Sequence, residues 1–242
     1  MQKNEYIDIL KQIFAINGLG EPSDGVCESF YSLGEHLSTA NKIHNLTAIK
    51  DDEEVIVKHF ADSLLISESI PEKASLIDVG CGPGFPSLPI AIYRPDLKIL
   101  GIDSTAKKIN YVNETARSLG LSNIEALSTR AEELSHQDAR ESFDVATARA
   151  VASLPVLCEL CLPFVKVGGL FVAMKAQSAD EELEASKNAI EKCGGKLIET
   201  KRHELCHRSG LKEARNIIII KKVKQTPDIY PRLYSKITKK PL

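Results

Sequence analysis

The chain has 242 residues, 43% of them hydrophobic, and a formal net charge of −2. That length fits one large domain or one domain with a small extension, and the apolar share is enough for a sizeable core. No stretch of about 18 residues is free of charge, which argues against a membrane span. The N-terminus, with Glu5 and Asp8 and no long apolar run, does not read as a signal peptide. Six cysteines without a disulfide-like framework point to a reduced, cytoplasmic compartment. The charge is unevenly spread: residues 201–242 hold twelve Lys+Arg and three acids, which leaves 19 basic and 30 acidic residues in 1–200. An acidic body with a basic end suggests a polyanionic partner met by that end, whereas a merely solvated tail needs none.

The first 65 or so residues read as helical. Tyr6, Leu10, Ile13 and Phe14 share one face at the 3.6 period, as do Val26, Phe30, Leu33 and Leu37. Asn17-Gly18 closes the first helix, Ser23 after Pro22 caps the second, and Asp51 or Asp52 caps a third with Ile56, Phe60 and Leu64 inward. From residue 75 the pattern alternates. Strands are expected at 75–79, 97–102, 123–128, 143–147, 168–174, 196–200 and 215–222, and helices near 86–93, 105–119, 152–164 and 179–193. Such alternation gives an α/β, Rossmann-like, mostly parallel sheet covered on both faces. The last two strands have no helix between them and should form an antiparallel hairpin at one edge. The expected organisation is a helical extension over 1–65, a sheet domain over 66–222 and a basic, irregular tail over 223–242.

The run Leu76-Ile77-Asp78-Val79-Gly80-Cys81-Gly82-Pro83-Gly84-Phe85-Pro86 joins a buried strand to a glycine loop. Glycine there permits positive φ and close approach of the backbone to a ligand. The next strand ends at Asp103, where a carboxylate can accept both hydroxyls of a ribose. Ligands of open parallel sheets bind at the carboxyl ends of the strands. Four tips therefore matter: the loop with Gly80, Gly82 and Gly84; Asp103-Ser104-Thr105; Arg130-Ala131-Glu132, where an adenine would lie; and Arg149, whose guanidinium can fork onto a carboxylate or phosphate. Dinucleotide loops usually read G-x-G-x-x-G and open directly into a helix. Here Pro83 and Pro86 remove two backbone donors that a pyrophosphate would want. A less anionic nucleoside such as S-adenosylmethionine suits the loop better.

His203-Glu204-Leu205-Cys206-His207 matches H-E-x-x-H formally, but a zinc hydrolase needs that run on a helix. Here a β-rich stretch and Ser209-Gly210 indicate a hairpin, so no metal is expected. Cys158 and Cys161 lie in an apolar helix and read as buried, inert thiols, and Cys81 as a small loop side chain. Ile217–Ile220 reads as a central strand.

Together these residues resemble the bacterial glucose-inhibited division protein B family. The similarity includes Asn45-Leu46-Thr47, His59 with Asp62-Ser63, the loop from Ile77 to Pro89, Asp103-Ser104 with Lys107-Lys108, Arg130-Ala131-Glu132, Arg149-Ala150, Lys175, Tyr230-Pro231-Arg232 and the ending Lys240-Pro241-Leu242. The resemblance implies a class I methyltransferase fold with a helical N-terminal extension. It also implies S-adenosylmethionine-dependent methylation of guanine N7 in 16S ribosomal RNA, yielding S-adenosylhomocysteine. Carried over by position, Gly80, Phe85, Ala131, Glu132 and Arg149 contact the cofactor, with Asp103, Ser104 and Thr105 beside them and Gly82 and Gly84 completing the loop. Arg149 and Lys175 position the substrate, and Lys175, Arg232, Lys239 and Lys240 meet RNA of the small ribosomal subunit. The chain departs from the family pattern at Cys81, Ser87, Ala176, Ser235 and Ile237. Guanine N7 carries a free lone pair and no proton, so no general base is expected. Neither an Asn/Asp-Pro-Pro-aromatic segment nor a Pro-Cys follows the fourth strand. Two competing readings are a nicotinamide-dependent oxidoreductase, disfavoured by the glycine spacing, and a non-catalytic RNA-binding or ribosome-assembly factor that keeps the fold.

Overall fold

The computed structural model describes residues 1–149, 152–176 and 179–242; Ala150 of the Arg149-Ala150 pair lies outside them. Seven strands form one sheet in the order β3-β2-β1-β4-β5-β7-β6. They are β1 (Ser75–Val79), β2 (Lys98–Asp103), β3 (Ile124–Ser128), β4 (Phe143–Arg149), β5 (Val165–Lys175), β6 (Gly195–Cys206) and β7 (Lys212–Lys222). β1 to β5 pair in parallel, and β7 runs antiparallel to both β5 and β6. The α/β sheet with an antiparallel edge hairpin is thus the one expected. The hairpin strands run longer than their apolar cores suggested. Cross-strand pairing continues through polar residues to Cys206 opposite Lys212, beyond the last alternating hydrophobics. His203 consequently lies within β6 and not on a helix.

α1 (Lys3–Ile16) and α2 (Asp24–His44) begin the chain. Ser23 Oγ accepts from the Val26 amide at 3.4 Å, and Asn45 in the left-handed region (φ 49°) ends α2. The third segment is less regular than its periodicity predicts. Asp51 caps α3 (Asp52–Val55), a π-helical stretch follows over Ile56–Ala61, and α4 (Asp62–Leu64) completes it. A π-turn inserts a residue into the helical ladder and rotates the side chains beyond it, a device frequent at functional sites. Here it carries Lys58 and His59, with Asp62 immediately after.

These helices share one core with α5 (Ser87–Tyr93), α6 (Ala106–Ser118) and one face of the sheet. The other face is covered by α8 (Leu154–Cys161), a 3₁₀ turn at Leu162–Phe164 and α9 (Ala179–Lys192). The short α7 (Ala131–Leu134) follows β3. Cys158, Cys161 and Cys193 are buried on this second face, where burial pushes the thiols up.

The tail is irregular over residues 223–233, as expected, but it is not free. It docks on the second face, carries α10 (Tyr234–Lys239) and buries Ile237 completely. Buried Lys222 Nζ donates to Leu162 O at 2.6 Å and Thr226 Oγ1 at 2.7 Å and lies 3.0 Å from Glu141 Oε1. Arg232 closes on fully buried Glu159: its amide and Nε each donate to Oε1 at 2.8 Å, and Nη2 to Oε2 at 2.7 Å. Long-range ion pairs of this kind leave no local periodicity for a sequence reading to detect. Among the described residues no helix is long and apolar enough to cross a membrane.

Candidate active site

The carboxyl ends of β1, β2, β4 and β5 open into a cavity of about 730 Å³. Its second wall is the π-helical stretch with Leu46 and Thr47, and its third is the start of β7. β7 is antiparallel, so its first residues, Glu213 to Ile217, lie where the parallel strands end. On the sheet side are Gly80, Cys81, Gly82, Phe85 and Asp103. Gly80 and Gly82 have φ of 76° and 56°. A Cβ built on Gly82 meets nothing within 4 Å, so that glycine faces open space. Gly84 differs: a Cβ there would lie 2.5 Å from Leu88 Cδ1 and 3.2 Å from Val112 Cγ2, so it permits helix packing behind the loop. Asp103 shapes the loop directly, accepting from the Gly82 amide on Oδ2 at 3.1 Å and from the Thr105 amide on Oδ1 at 2.8 Å.

Asp78, in β1 two residues before Gly80, is fully buried and accepts from Ser87 Oγ at 2.5 Å, while its Oδ1 has no partner among the described residues. Burial pushes its carboxyl up to about 6, against the hydrogen bond from Ser87.

Arg149, at the tip of β4, is gripped by the π-helical stretch. Its Nη1 donates to Lys58 O at 2.8 Å and to Asp62 Oδ2 at 3.1 Å, and Nη2 lies 3.5 Å from His59 Nδ1. Asp62 Oδ1 accepts from Arg215 Nε at 2.8 Å, joining β7 to the same cluster. The His59 ring stacks on Phe85 with centroids 4.4 Å apart and planes 10° from parallel. Burial, and then the Arg149 charge, push His59 down to about 3, so the imidazole is neutral at physiological pH. Lys175 Nζ donates to Ala152 O at 2.9 Å and pairs with Glu182 at 2.7 Å. Lys108 lies 4.0 Å from Asp103, and Lys58 lies 3.5 Å from Glu213. Every cation lining the cavity therefore has a carboxylate within 4.0 Å.

Of the residues singled out from sequence, the cavity brings together Gly80, Gly82, Phe85, Asp103, Arg149 and Lys175. Gly84, Ser104, Thr105, Ala131 and Glu132 are not among its lining residues, and Glu132 is buried beside Arg130 at 3.9 Å. Arg232 is tied to Glu159 on the far side of the sheet, whereas Lys239 and Lys240 are exposed on the tail. Sequence reasoning missed Lys58, Glu182, Glu213 and Arg215. Arg215 had a usable signal, since the strand expected from sequence begins there and the start of an antiparallel last strand must lie at the ligand-binding end. The H-E-x-x-H run has no metal geometry: His207 pairs with Glu213 at 2.9 Å and Glu54 at 3.3 Å, and no metal-binding cluster occurs among the described residues.

The fold is one that solved S-adenosylmethionine-dependent methyltransferases share. Similar folds include a SAM-dependent methyltransferase from Methanosarcina mazei, with a TM-score of 0.53, 20% identity and coverage of 66% of this chain and 98% of that one. M. jannaschii TYW2, solved in complex with AdoMet, has a TM-score of 0.56 at 16% identity, covering 73% and 80%. The particular family follows from sequence: residues 26–209 match the GidB model, described as rRNA small subunit methyltransferase G, and the chain belongs to that family. Its relatives named ribosomal RNA small subunit methyltransferase G include one from Acetivibrio thermocellus, 48% identical over 221 residues and covering 90% of each chain. Another, from Clostridium perfringens, is 41% identical over 241 residues, covering 98% and 99%.

Proposed function

We propose that this enzyme methylates N7 of a guanine in 16S ribosomal RNA, acting in the cytoplasm on the RNA or the small ribosomal subunit. One observation carries the choice of atom: the cavity offers no free general base among the described residues. Asp62 is held by two arginines, Glu213 by Arg215 and His207, and His59 turns Nδ1 toward Arg149. An exocyclic amine or hydroxyl would have to lose a proton in such a site, whereas N7 attacks with a lone pair already free.

The open face of Gly82 beside Asp103 fits a nucleoside cofactor that needs few backbone donors. Gly80, Gly82 and Phe85 would hold S-adenosylmethionine with Asp103, Ser104 and Thr105 toward its ribose, Ala131 and Glu132 toward its adenine, and Arg149 at the reacting end. Gly84 would support the loop from behind. When bound, the cofactor supplies a sulfonium-activated methyl group. The protein's work is then positioning, which is worth several kcal/mol, up to roughly 7–11 in well-oriented models. Arg149 and Lys175 orient the nucleotide at the cavity mouth. N7 lies on the edge that proteins do not reach in A-form RNA, so the guanine must come from a loop or be turned out of its stack. Lys239 and Lys240 meet the RNA backbone, and Arg232 serves them by holding the tail in place.

The test is a map of N7-methylguanosine in 16S RNA from cells with and without the protein. One site should disappear in its absence; an unchanged map overturns the reading.

A further inference from the structure

Thr47 is fixed by four hydrogen-bonding contacts. Its amide donates to Asn41 Oδ1, and its carbonyl accepts from Asn41 Nδ2, each at 2.9 Å, so one buried amide side chain clamps its backbone. Its Oγ1 accepts from the Ile49 amide at 3.1 Å and lies 2.8 Å from His59 Nε2. The direction of that last bond follows from Arg149. A guanidinium has only donors, and Arg149 Nη2 faces His59 Nδ1. The Nδ1 lone pair must therefore point at Arg149, which assigns the ring proton to Nε2. A hydroxyl oxygen has two lone pairs and one proton. Ile49 N–H and His59 Nε2–H occupy both lone pairs. The hydroxyl proton is left, and no described residue accepts it. Thr47 is half-buried and lines the cavity, so that proton is available to whatever enters.

The surroundings indicate what would accept it. Thr47 lines the cavity on the wall formed by the helical extension, beside the His59–Phe85 stack, and no tail lysine lines the cavity among the described residues. A planar ring suits such a wall. Guanine presents two acceptors on this edge, N7 and O6, whereas adenine presents N7 and an amino donor at position 6. A donor aimed at position 6 accepts guanine and rejects adenine. A donor on O6 also leaves the N7 lone pair free to attack, and the His59 proton, spent on Thr47, is kept away from N7.

We propose that the Thr47 hydroxyl donates a hydrogen bond to O6 of the target guanine and selects guanine over adenine. The assignment rests on the reading of the enzyme as a guanine-N7 methyltransferase. The experiment is a chemical double-mutant cycle. Wild-type protein, Thr47→Val and Thr47→Ser are assayed on 16S RNA carrying either guanine or 2-aminopurine, which lacks O6, at the position the wild type methylates. Thr47→Val should lose about tenfold in kcat/KM on guanine, should lose little more when O6 is also absent, and should bind S-adenosylhomocysteine as wild type does. Thr47→Ser should restore the rate on guanine. If Thr47→Val suffers the same loss on both bases, the hydroxyl acts only by holding His59 and the O6 contact is overturned. Absence of methyl transfer by the wild type to any guanine would overturn the functional reading itself, a different result from an active wild type with an indifferent Thr47.

Discussion

Among the carboxylates that arginines hold in this molecule, Glu159 and Asp62 are opposites in their surroundings. Glu159 is fully buried on the second face, and a single residue, Arg232, covers both of its oxygens. Asp62 stands at the cavity wall and divides its oxygens between Arg149 and Arg215, which arrive from different strands. The first pair fixes a tail to a domain. The second ties three elements around open space, and Arg149 keeps additional contacts with Lys58 O and the His59 ring. The same ion-pair chemistry thus serves as a rivet in one place and as a jig in the other, and the cavity beside Asp62 makes the difference.

The largest effect should come from breaking the rivet. Arg232→Met removes the counter-charge and leaves a buried carboxylate with only the backbone amide of residue 232 as partner, at a cost of about 3 kcal/mol. Denaturant unfolding should show that loss, and Glu159→Gln in the same chain should recover part of it. A variant within about 0.5 kcal/mol of wild type would mean that the Glu159 pocket relaxes to admit water. Arg149→Met should behave in reverse. Asp62 keeps Arg215, so stability should fall by only about 1–2 kcal/mol, while methyl transfer falls about a hundredfold because the reacting geometry is lost. Equal losses of stability and rate in the two variants would erase the distinction between them.

A smaller effect separates two buried titrating groups, Asp78 behind the glycine loop and His59 on the cavity wall. Asp78 has its carboxyl raised from 3.8 to about 6, so the native state holds that proton longer than the unfolded chain. Its contribution to stability falls as pH rises through that window. His59 is lowered from 6.5 to about 3, so the unfolded chain takes up a proton that the native state refuses. Its contribution is lost as pH falls through that window. The two trends oppose each other between about pH 4 and 6. Asp78→Asn should tilt the stability curve toward rising with pH, and His59→Gln toward falling, each by up to about 1 kcal/mol per pH unit. Unfolding midpoints across about pH 4–7 measure both slopes, and parallel curves for the two variants would refute the assignment.

How far this contrast was legible beforehand differs between its halves. The parallel strands, the glycine loop, Asp103 and Arg149 follow from hydrophobic runs and from the rule that ligands meet strand ends. The π-turn that brings His59 and Asp62 to Arg149 has no sequence period of its own, because Ile56, Phe60 and Leu64 read as an ordinary helix face. The Arg232–Glu159 rivet joins residues 73 apart and looked like one more tail cation. Gly84 shows a subtler limit: spacing marks a loop glycine, but only the packing of Leu88 and Val112 tells that its missing side chain serves the helix behind it.

The smallest effect concerns the tail that the rivet holds. Lys236, Lys239 and Lys240 are exposed on or next to α10 and have no ion pair among the described residues, unlike every cation lining the cavity. If the rivet exists to present these charges, changing all three to Gln should leave folding and S-adenosylhomocysteine binding intact. It should weaken 16S RNA binding at low salt and flatten the dependence of log K on log salt by about 2, at roughly 0.7 for each phosphate that the tail no longer neutralises on a single strand. Filter binding from about 50 to 200 mM salt measures that slope. An unchanged slope would make the tail a structural strap only, and would shift the whole burden of RNA binding to the cations around the cavity. Those must first give up their carboxylates, so binding there would depend less on salt.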